Sequence, residues 1–137
     1  MREFIRHPTD IPIKYRIQDS NKIGINNLRN ISLGGLCFRL SVPLVEGMQL
    51  ILSIPIIKPA FRAKGIVAWC NKTEDGFDVG VNFFDSDTEY RARMVEQICQ
   101  IEHYRKDIQH REGRIISAEK AAEEWIERYA SEFPRSE

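Results

Sequence analysis

The distribution of glycine and proline divides this chain into two parts with different folding preferences. Seven of its eight glycines and five of its six prolines precede residue 85, whereas residues 88–111 contain neither. Both residue types interrupt helices and favour turns, so the first part favours short extended segments and the second favours helix. The sequence therefore predicts a β-rich N-terminal part followed by a helical C-terminal part.

Short apolar segments separated by turn residues fill the first part. They alternate with polar residues or form brief apolar runs, and they occupy residues 11–17, 24–32, 35–41, 48–56, 61–70 and 77–84. The sequence NKTEDG at 71–76 predicts a hairpin connection that ends in Asp-Gly. Short strands at this close spacing, with no helix between them, predict a mainly β fold that is either a small antiparallel barrel or a sandwich.

The second part predicts two helices. Apolar residues recur at helical spacing through residues 88–111, and Asp87 or Ser86 is placed to cap the first helix. A second helix is predicted over residues 117–134, with Ser117 as its N-cap.

The apolar face of the second helix, which includes Trp125 and Phe133, must be covered by something. We expect residues 1–90 to form the barrel and residues 88–134 to pack on it or to form an interaction surface. A helical hairpin that binds a partner protein or a second copy of the chain is one interpretation. Completion of the monomer core is an equal alternative.

The composition argues against several classes of protein. The formal net charge is +0, from 20 basic and 20 acidic residues, so the chain lacks the positive excess of a general nucleic-acid binder. The opening MREFIRHPTD has no apolar signal core, and no stretch approaches the roughly 18 apolar residues that span a bilayer. We therefore expect a cytoplasmic protein with no membrane-inserted segment.

Residues with catalytic or metal-binding chemistry form no recognised motif. Cys37, Cys70 and Cys99 are far apart, which predicts three small core residues of a reduced protein. His103 and His110 lie two helical turns apart and are expected to face solvent. No P-loop, G-x-S-x-G or H-E-x-x-H sequence occurs. We expect neither an enzyme nor a metal or cofactor site.

Two short motifs carry more information. Arg2 and Arg6 form Arg-x-x-x-Arg, and 24 positions later Asn30, Ser32 and Gly35 form Asn-x-Ser-x-x-Gly. Guanidinium groups bind phosphate oxygens and the acceptor edge of guanine in a bidentate way. This order and spacing resembles the PilZ domain, a receptor for the bacterial second messenger cyclic di-GMP. The segments IPIKY at 11–15 and GIVAWCNKTEDGFDVGVNFF at 65–84 extend the resemblance over about residues 1–90.

The resemblance implies a PilZ-type β-barrel and a role for each motif residue. Arg2 and Arg6 would hold the phosphates and the Hoogsteen edges of the guanines of cyclic di-GMP. Asn30 would contact a guanine edge, and Ser32 would hydrogen-bond near a phosphate or base. Gly35 would allow a close approach of the backbone, because a side chain there would clash.

Two further residues complete the predicted ligand site. Gly34 keeps the turn open, and Trp69 is placed either to stack on a base or to lie in the core. The family often has Asp where this chain has Asn30. Unlike Asp, the Asn30 side chain has an NH2 donor and no charge. Only Met1 precedes Arg2, so the ligand stoichiometry stays open.

These observations lead to one function and two alternatives. The resemblance implies a cyclic di-GMP receptor that acts as an adaptor on an unidentified protein partner, in motility, surface attachment and biofilm formation or exopolysaccharide control. The first alternative is a PilZ-like scaffold that binds no nucleotide and forms oligomers through its C-terminal helices. The second is a binder of single-stranded nucleic acid that uses Trp69 and Phe83 as stacking platforms, which zero net charge disfavours.

Overall fold

The computed structural model describes residues 5–18, 20, 22–57, 59–84 and 87–129, the last without its side chain. Within these residues the chain forms seven strands and then two helices. The strands are β1 (His7–Pro8), β2 (Pro12–Ile17), β3 (Ile23–Ile31), β4 (Gly35–Leu40), β5 (Gln49–Ile54), β6 (Phe61–Thr73) and β7 (Gly76–Phe83). The helices are α1 (Thr88–Glu112) and α2 (Ala118–Tyr129). The predicted change from strand to helix is confirmed.

Six of the strands close into an antiparallel barrel. The hydrogen-bonded order β3-β2-β5-β6-β7-β4 is completed by pairing of β4 with β3, and the two-residue β1 adds to the edge of β3. Of the two architectures that the sequence left open, the barrel is therefore the one that forms. Closure satisfies the backbone groups that an open sheet would expose at its edges.

Alternate residues of each barrel strand fill the core. Leu50, Leu52 and Ile54 on β5 are all fully buried, as the period of two in that segment predicts. Phe83 is 7% exposed and packs edge-on against Phe61, with ring centroids 5.4 Å apart. Phe83 is therefore a core residue, and its proposed use as a stacking platform for nucleic acid is wrong.

The hairpin between β6 and β7 is tighter than the sequence predicted. Thr73 pairs with Gly76, so only Glu74 and Asp75 form the connection, and most of NKTEDG belongs to the strands. Gly76 has a φ of 148° and passes close to the carbonyl oxygen of Leu40. A side chain at Gly76 would be strained and crowded, which accounts for glycine after the turn.

Local caps set the helix limits. The Asp87 side chain accepts a hydrogen bond from the Tyr90 backbone at 2.7 Å, which starts α1. Gly113, with a φ of 68°, ends that helix in the left-handed conformation. Ser117 Oγ accepts from the Lys120 backbone at 3.0 Å and caps α2. The predicted caps at Asp87 and Ser117 are confirmed.

Helix α1 packs on the barrel. The Tyr90 ring stacks on Phe61 with centroids 5.0 Å apart, and its hydroxyl accepts a hydrogen bond from the Arg62 backbone at 2.7 Å. Further along the helix, Met94 and Ile98 join the barrel residues in one buried cluster. The buried stripe of α1 is thus a second wall of the core rather than a free coiled-coil seam.

Helix α2 completes that cluster. Ala118, Ala121, Ala122 and Trp125 are all buried within the chain, whereas Phe133 lies outside the described residues. The described part of this apolar face, up to Trp125, is therefore covered by the chain itself. Neither α1 nor α2, as far as the structure describes them, has a span long and apolar enough to cross a membrane.

Candidate functional site

A β-bulge on β3 turns Asn30 to the outside of the barrel. Leu28 and Ile31 both face the core, at 2% and 0% exposure, and the strand register shifts between Leu28 and Asn30. Strict alternation from Leu28 would direct Asn30 inward. The extra residue, Arg29, reverses the alternation, and bulges commonly re-aim side chains next to functional sites in this way.

A second bulge, on β6, turns Trp69 to the outside of the barrel. Val67 is buried in the core, and the register shifts between Val67 and Trp69. Trp69 then lies opposite Gly80, which sits between the core residues Val79 and Val81 and so faces outward. The indole lies half-buried over Gly80, where a Cβ atom would run into the ring. Trp69 is therefore an outer-face residue and not a core residue.

The two bulges create one row of outward-facing residues across four strands. Asn30 pairs opposite Cys37, Cys37 opposite Gly80, and Gly80 opposite Trp69. Residues directly opposite one another in a sheet share a face. We call Asn30, Cys37, Gly80 and Trp69 the site row.

Cys37 forms the floor of the site row. It is 3% exposed although it faces outward, because the surrounding side chains cover it. The expectation of three buried cysteines is therefore confirmed for Cys37 and wrong for Cys70 and Cys99. Cys37 lies outside the apolar core cluster, and Cys70 and Cys99 are only partly buried against it.

Arg6 contacts the site row directly. Its Nη1 donates a hydrogen bond to Oδ1 of Asn30 at 3.0 Å, and β1, which begins at the next residue, pairs Pro8 with Asn30. An aspartate here would neutralise Arg6, whereas the amide of Asn30 orients the guanidinium and leaves its charge for an anion. The first arginine of the motif, Arg2, lies outside the described residues.

The Ser32 hydroxyl is engaged inside the turn that follows β3. Its Oγ accepts hydrogen bonds from the backbone N–H groups of Gly34 and Gly35, both at 3.2 Å, and lies 3.3 Å from the carbonyl oxygen of Gly35. Ser32 is 6% exposed. The structure therefore places Ser32 as a residue that shapes the loop beside Asn30.

Gly35 is required by the barrel itself. A Cβ atom on Gly35 would run into the carbonyl oxygen of Val81 on β7, so the close approach is between two strands of this chain. The neighbouring Gly34 carbonyl accepts a hydrogen bond from the Phe83 backbone at 3.0 Å. Both glycines fix the position of the turn relative to the site row.

Three charged residues beside the site row were missed by the sequence analysis. Arg39 Nε lies 3.0 Å from Asp78 Oδ1, and Arg29 Nε lies 3.9 Å from the same oxygen. Arg39 shares the outer face of β4 with Cys37, which period-two alternation alone predicts. The positions of Asp78 and Arg29 depend on the strand register and the bulge, which no local sequence signal marks.

The charges around Cys37 act on its thiol. Burial is the largest cause that raises the pKa of Cys37, and Asp78 raises it further. Arg6, Arg29 and Arg39 act in the opposite direction. All three guanidinium groups are thus close enough to the floor of the site row to affect a charge placed there.

This geometry suits a planar, anionic ligand. Trp69 offers a partly exposed aromatic face, Asn30 an amide, and Arg6 a planar cation that is held by a neutral partner. Aromatic faces stack on nucleobases, and guanidinium groups bind phosphate.

A scan against protein families matches residues 1–100 to the PilZ domain family. The chain belongs to the PilZ domain family. Comparison with curated proteins found no match. Because the match covers the whole barrel and the first half of α1, it includes every residue of the site row in this PilZ domain.

Solved structures support the same fold. The PilZ domain of YcgR from Escherichia coli, solved with cyclic di-GMP, has a TM-score of 0.62 at 14% identity, covering 83% of this chain and 98% of that one. MrkH from K. pneumoniae, also solved as a cyclic di-GMP complex, has a TM-score of 0.61 at 15% identity. The match covers 77% of this chain and 55% of MrkH. The motility inhibitor MotI from Bacillus subtilis has a TM-score of 0.58 at 13% identity. The match covers 70% of this chain and 48% of MotI. The chain thus spans about half the length of MotI and MrkH.

Proposed function

We propose that this PilZ domain is a receptor for cyclic di-GMP. The observation that carries the proposal is the contact of Arg6 with Asn30 at 3.0 Å, on the same outer-face row as the half-buried Trp69. Structural neighbours solved with this nucleotide, YcgR and MrkH, support the choice of ligand.

Each part of the site row would meet one chemical group of the ligand. The Arg6 guanidinium would bind a phosphate or the O6/N7 edge of a guanine, and Asn30 would hold Arg6 and contact the base. The Trp69 ring would stack on a guanine face. Arg2, on the same N-terminal segment, would supply the second cation. Ser32 and the glycines after it would act by shaping the turn.

The receptor would act as an adaptor. Binding would bring Arg2 and Arg6 onto the nucleotide and so change the surface that a partner protein meets. The ligand can shift this equilibrium only by its differential affinity for the two arrangements. Motility, surface attachment and exopolysaccharide production are the processes in which we expect the partner to act.

Calorimetric titration of cyclic di-GMP tests the proposal. We expect saturable binding to the wild type and an affinity loss of roughly 10- to 100-fold in Arg6→Ala, the size of one lost hydrogen bond to a charged group. Arg111→Ala is the matched control, because Arg111 is an exposed arginine that pairs with Asp107 on α1, outside the site row. Unchanged affinity in Arg6→Ala would contradict the site, and no binding to folded wild type would favour the scaffold alternative.

A further inference from the structure

A second group of cations lies on the outer face of the barrel, and none of its residues belongs to the site row. On the outer faces of β2, β5 and β6, Lys14 pairs opposite Ser53, and Ser53 pairs opposite Arg62. Arg16 lies two residues after Lys14 on the same face of β2. We call Lys14, Arg16 and Arg62 the basic cluster.

The basic cluster lines a shallow groove with an apolar border. The groove has a volume of about 250 Å³ and includes all three cations and Ser53. On β3, Ile25 pairs opposite Lys14 and Ile23 opposite Arg16, and these isoleucines are 70% and 57% exposed. Large exposed isoleucines beside a charged groove are a feature of interaction surfaces.

The cations of the basic cluster have no acidic partner in the described ranges of the chain. None of the ion pairs there includes Lys14, Arg16 or Arg62. Lys14 and Arg62 are two strands apart, about 10 Å, and Lys14 and Arg16 are about 7 Å apart. Like charges at these separations repel, since they lie within about one Debye length at physiological salt.

Helix α2 carries a row of exposed negative charges. Glu119, Glu123 and Glu127 are exposed and recur every four residues, so they form one row along the helix. Lys120 lies 4.0 Å from Glu123, the longest ion-pair distance among those in the described residues. Three carboxylates at this spacing repel one another and destabilise an isolated helix. We call these three glutamates the acidic stripe.

We propose that two copies of this chain associate through contact of the basic cluster of one with the acidic stripe of the other. The stripe spans about 12 Å along the helix, which matches the roughly 10 Å across the cluster. Among the described residues the basic cluster has no acidic partner and the acidic stripe has one ion pair, from Lys120 to Glu123, although the net charge of the whole chain is +0. Association of two copies satisfies both groups, and a two-fold arrangement satisfies both in each copy.

This interface differs from the apolar docking surface that was one of the two interpretations of the sequence. The described apolar residues of α2, Ala118, Ala121, Ala122 and Trp125, are buried, so the helix offers its charged face instead. The association does not require cyclic di-GMP, because the basic cluster and the acidic stripe include no residue of the site row.

Light scattering at low and high salt tests the proposal. We expect the wild type to associate at about 0.01 M salt and to dissociate towards monomer at about 1 M, as the Debye length falls from about 30 Å to about 3 Å. A wild type that stays monomeric at low salt and high protein concentration would overturn the proposal.

Charge exchange identifies the surfaces. Variant one carries Lys14→Glu, Arg16→Glu and Arg62→Glu; variant two carries Glu119→Lys, Glu123→Lys and Glu127→Lys. Each alone then presents like charges at the contact and should associate at least about tenfold more weakly than wild type. A mixture of the two restores opposite charges at both contacts and should form a 1:1 complex. Self-association of either variant at the wild-type level, or no complex in the mixture, would contradict the proposal.

A matched control separates a local contact from a general effect of charge. Lys72→Glu reverses an exposed charge on β6 about 30 Å along the strand from Arg62 and should leave association unchanged. Titration of both exchanged variants with cyclic di-GMP keeps this proposal distinct from the receptor proposal. Their nucleotide affinity should equal that of the wild type, whatever that value is.

Discussion

Arg105 joins the two ends of the fold through a single guanidinium group. Its Nη1 lies 2.8 Å from Oδ1 of Asp10, and its Nε donates to the carbonyl oxygen of Ile116 at 2.7 Å. Asp10 follows Arg6 by four residues, and Ile116 lies between α1 and α2. The segment that enters the site row is therefore attached to α1 and to the connection between α1 and α2, which gives a physical route from the proposed nucleotide site to the C-terminal part.

Arg105→Ala should lower the free energy of unfolding by about 1–2 kcal/mol, because it removes a partly buried ion pair and a hydrogen bond between separate elements. Urea unfolding of the wild type and the variant measures the difference. Arg111→Ala removes an exposed pair with Asp107, also at 2.8 Å, and should leave stability close to the wild type. Equal effects of the two substitutions would contradict the connecting role of Arg105.

Glu102→Gln should stabilise the protein at neutral pH. Burial is the main cause that raises the pKa of Glu102, and Arg105 opposes it. The Oε1 atom is buried, lacks a hydrogen bond in the described part of the chain, and lies 3.6 Å from Arg105 Nη1. Because the folded state holds the proton more tightly than the unfolded state, stability falls as pH rises above the usual glutamic acid pKa of about 4.3.

Thermal unfolding at several pH values checks this prediction. The E102Q variant should be more stable than the wild type at pH 7 and should lose the advantage in acid, where Glu102 is protonated. Glu96→Gln, on an exposed position of the same helix, controls for the amide substitution. A less stable E102Q at pH 7 would show that the ion pair with Arg105 outweighs the cost of burial.

Gly35→Ala should damage the fold rather than the ligand contact. Its methyl group would meet the Val81 carbonyl oxygen, and overpacking of this kind costs about 1–3 kcal/mol. Asn30→Ala should weaken nucleotide binding rather than the fold, because Asn30 is half-buried on the outer face and contacts Arg6. Urea unfolding and nucleotide titration of both variants measure the two effects, and a fully stable Gly35→Ala protein would refute the packing role.

Trp69 fluorescence should change when cyclic di-GMP binds. Trp69 is half-buried on the outer face, whereas Trp125 is 7% exposed in the core, so only Trp69 can stack on a base. We expect the change to persist in Trp125→Phe and to vanish in Trp69→Phe. A change that survives loss of Trp69 would place the ligand elsewhere.

The sequence predicts the strands of the barrel well because their patterns are simple. The alternation in β5 and the short apolar segments around it mark the strands, and Asp87 and Ser117 mark the helix starts. These signals lie in residues that are close together in the sequence, and interactions between such residues decide where the strands and helices begin. The sequence predicts the hairpin between β6 and β7 but not the length of its strands, because cross-strand pairing carries both strands up to Thr73 and Gly76.

The site was harder to predict because it depends on two bulges. Alternation alone would bury both Asn30 and Trp69, and only the register shifts turn them outward. The contacts of Asp78 with Arg29 and Arg39 likewise depend on long-range pairing. The motif residues Arg6 and Asn30 were found through a family resemblance, which carries information that periodicity does not.

NMR measurement of amide chemical shifts during titration shows whether cyclic di-GMP binds on the site row. If it does, the largest shifts should occur at the backbone amides of Asn30, Cys37 and Gly80 and at the indole N–H of Trp69. The indole N–H of Trp125 should move little, because it lies in the core. Shifts centred instead on β2 and β5, or no shifts at saturating nucleotide, would show that cyclic di-GMP does not bind on the site row.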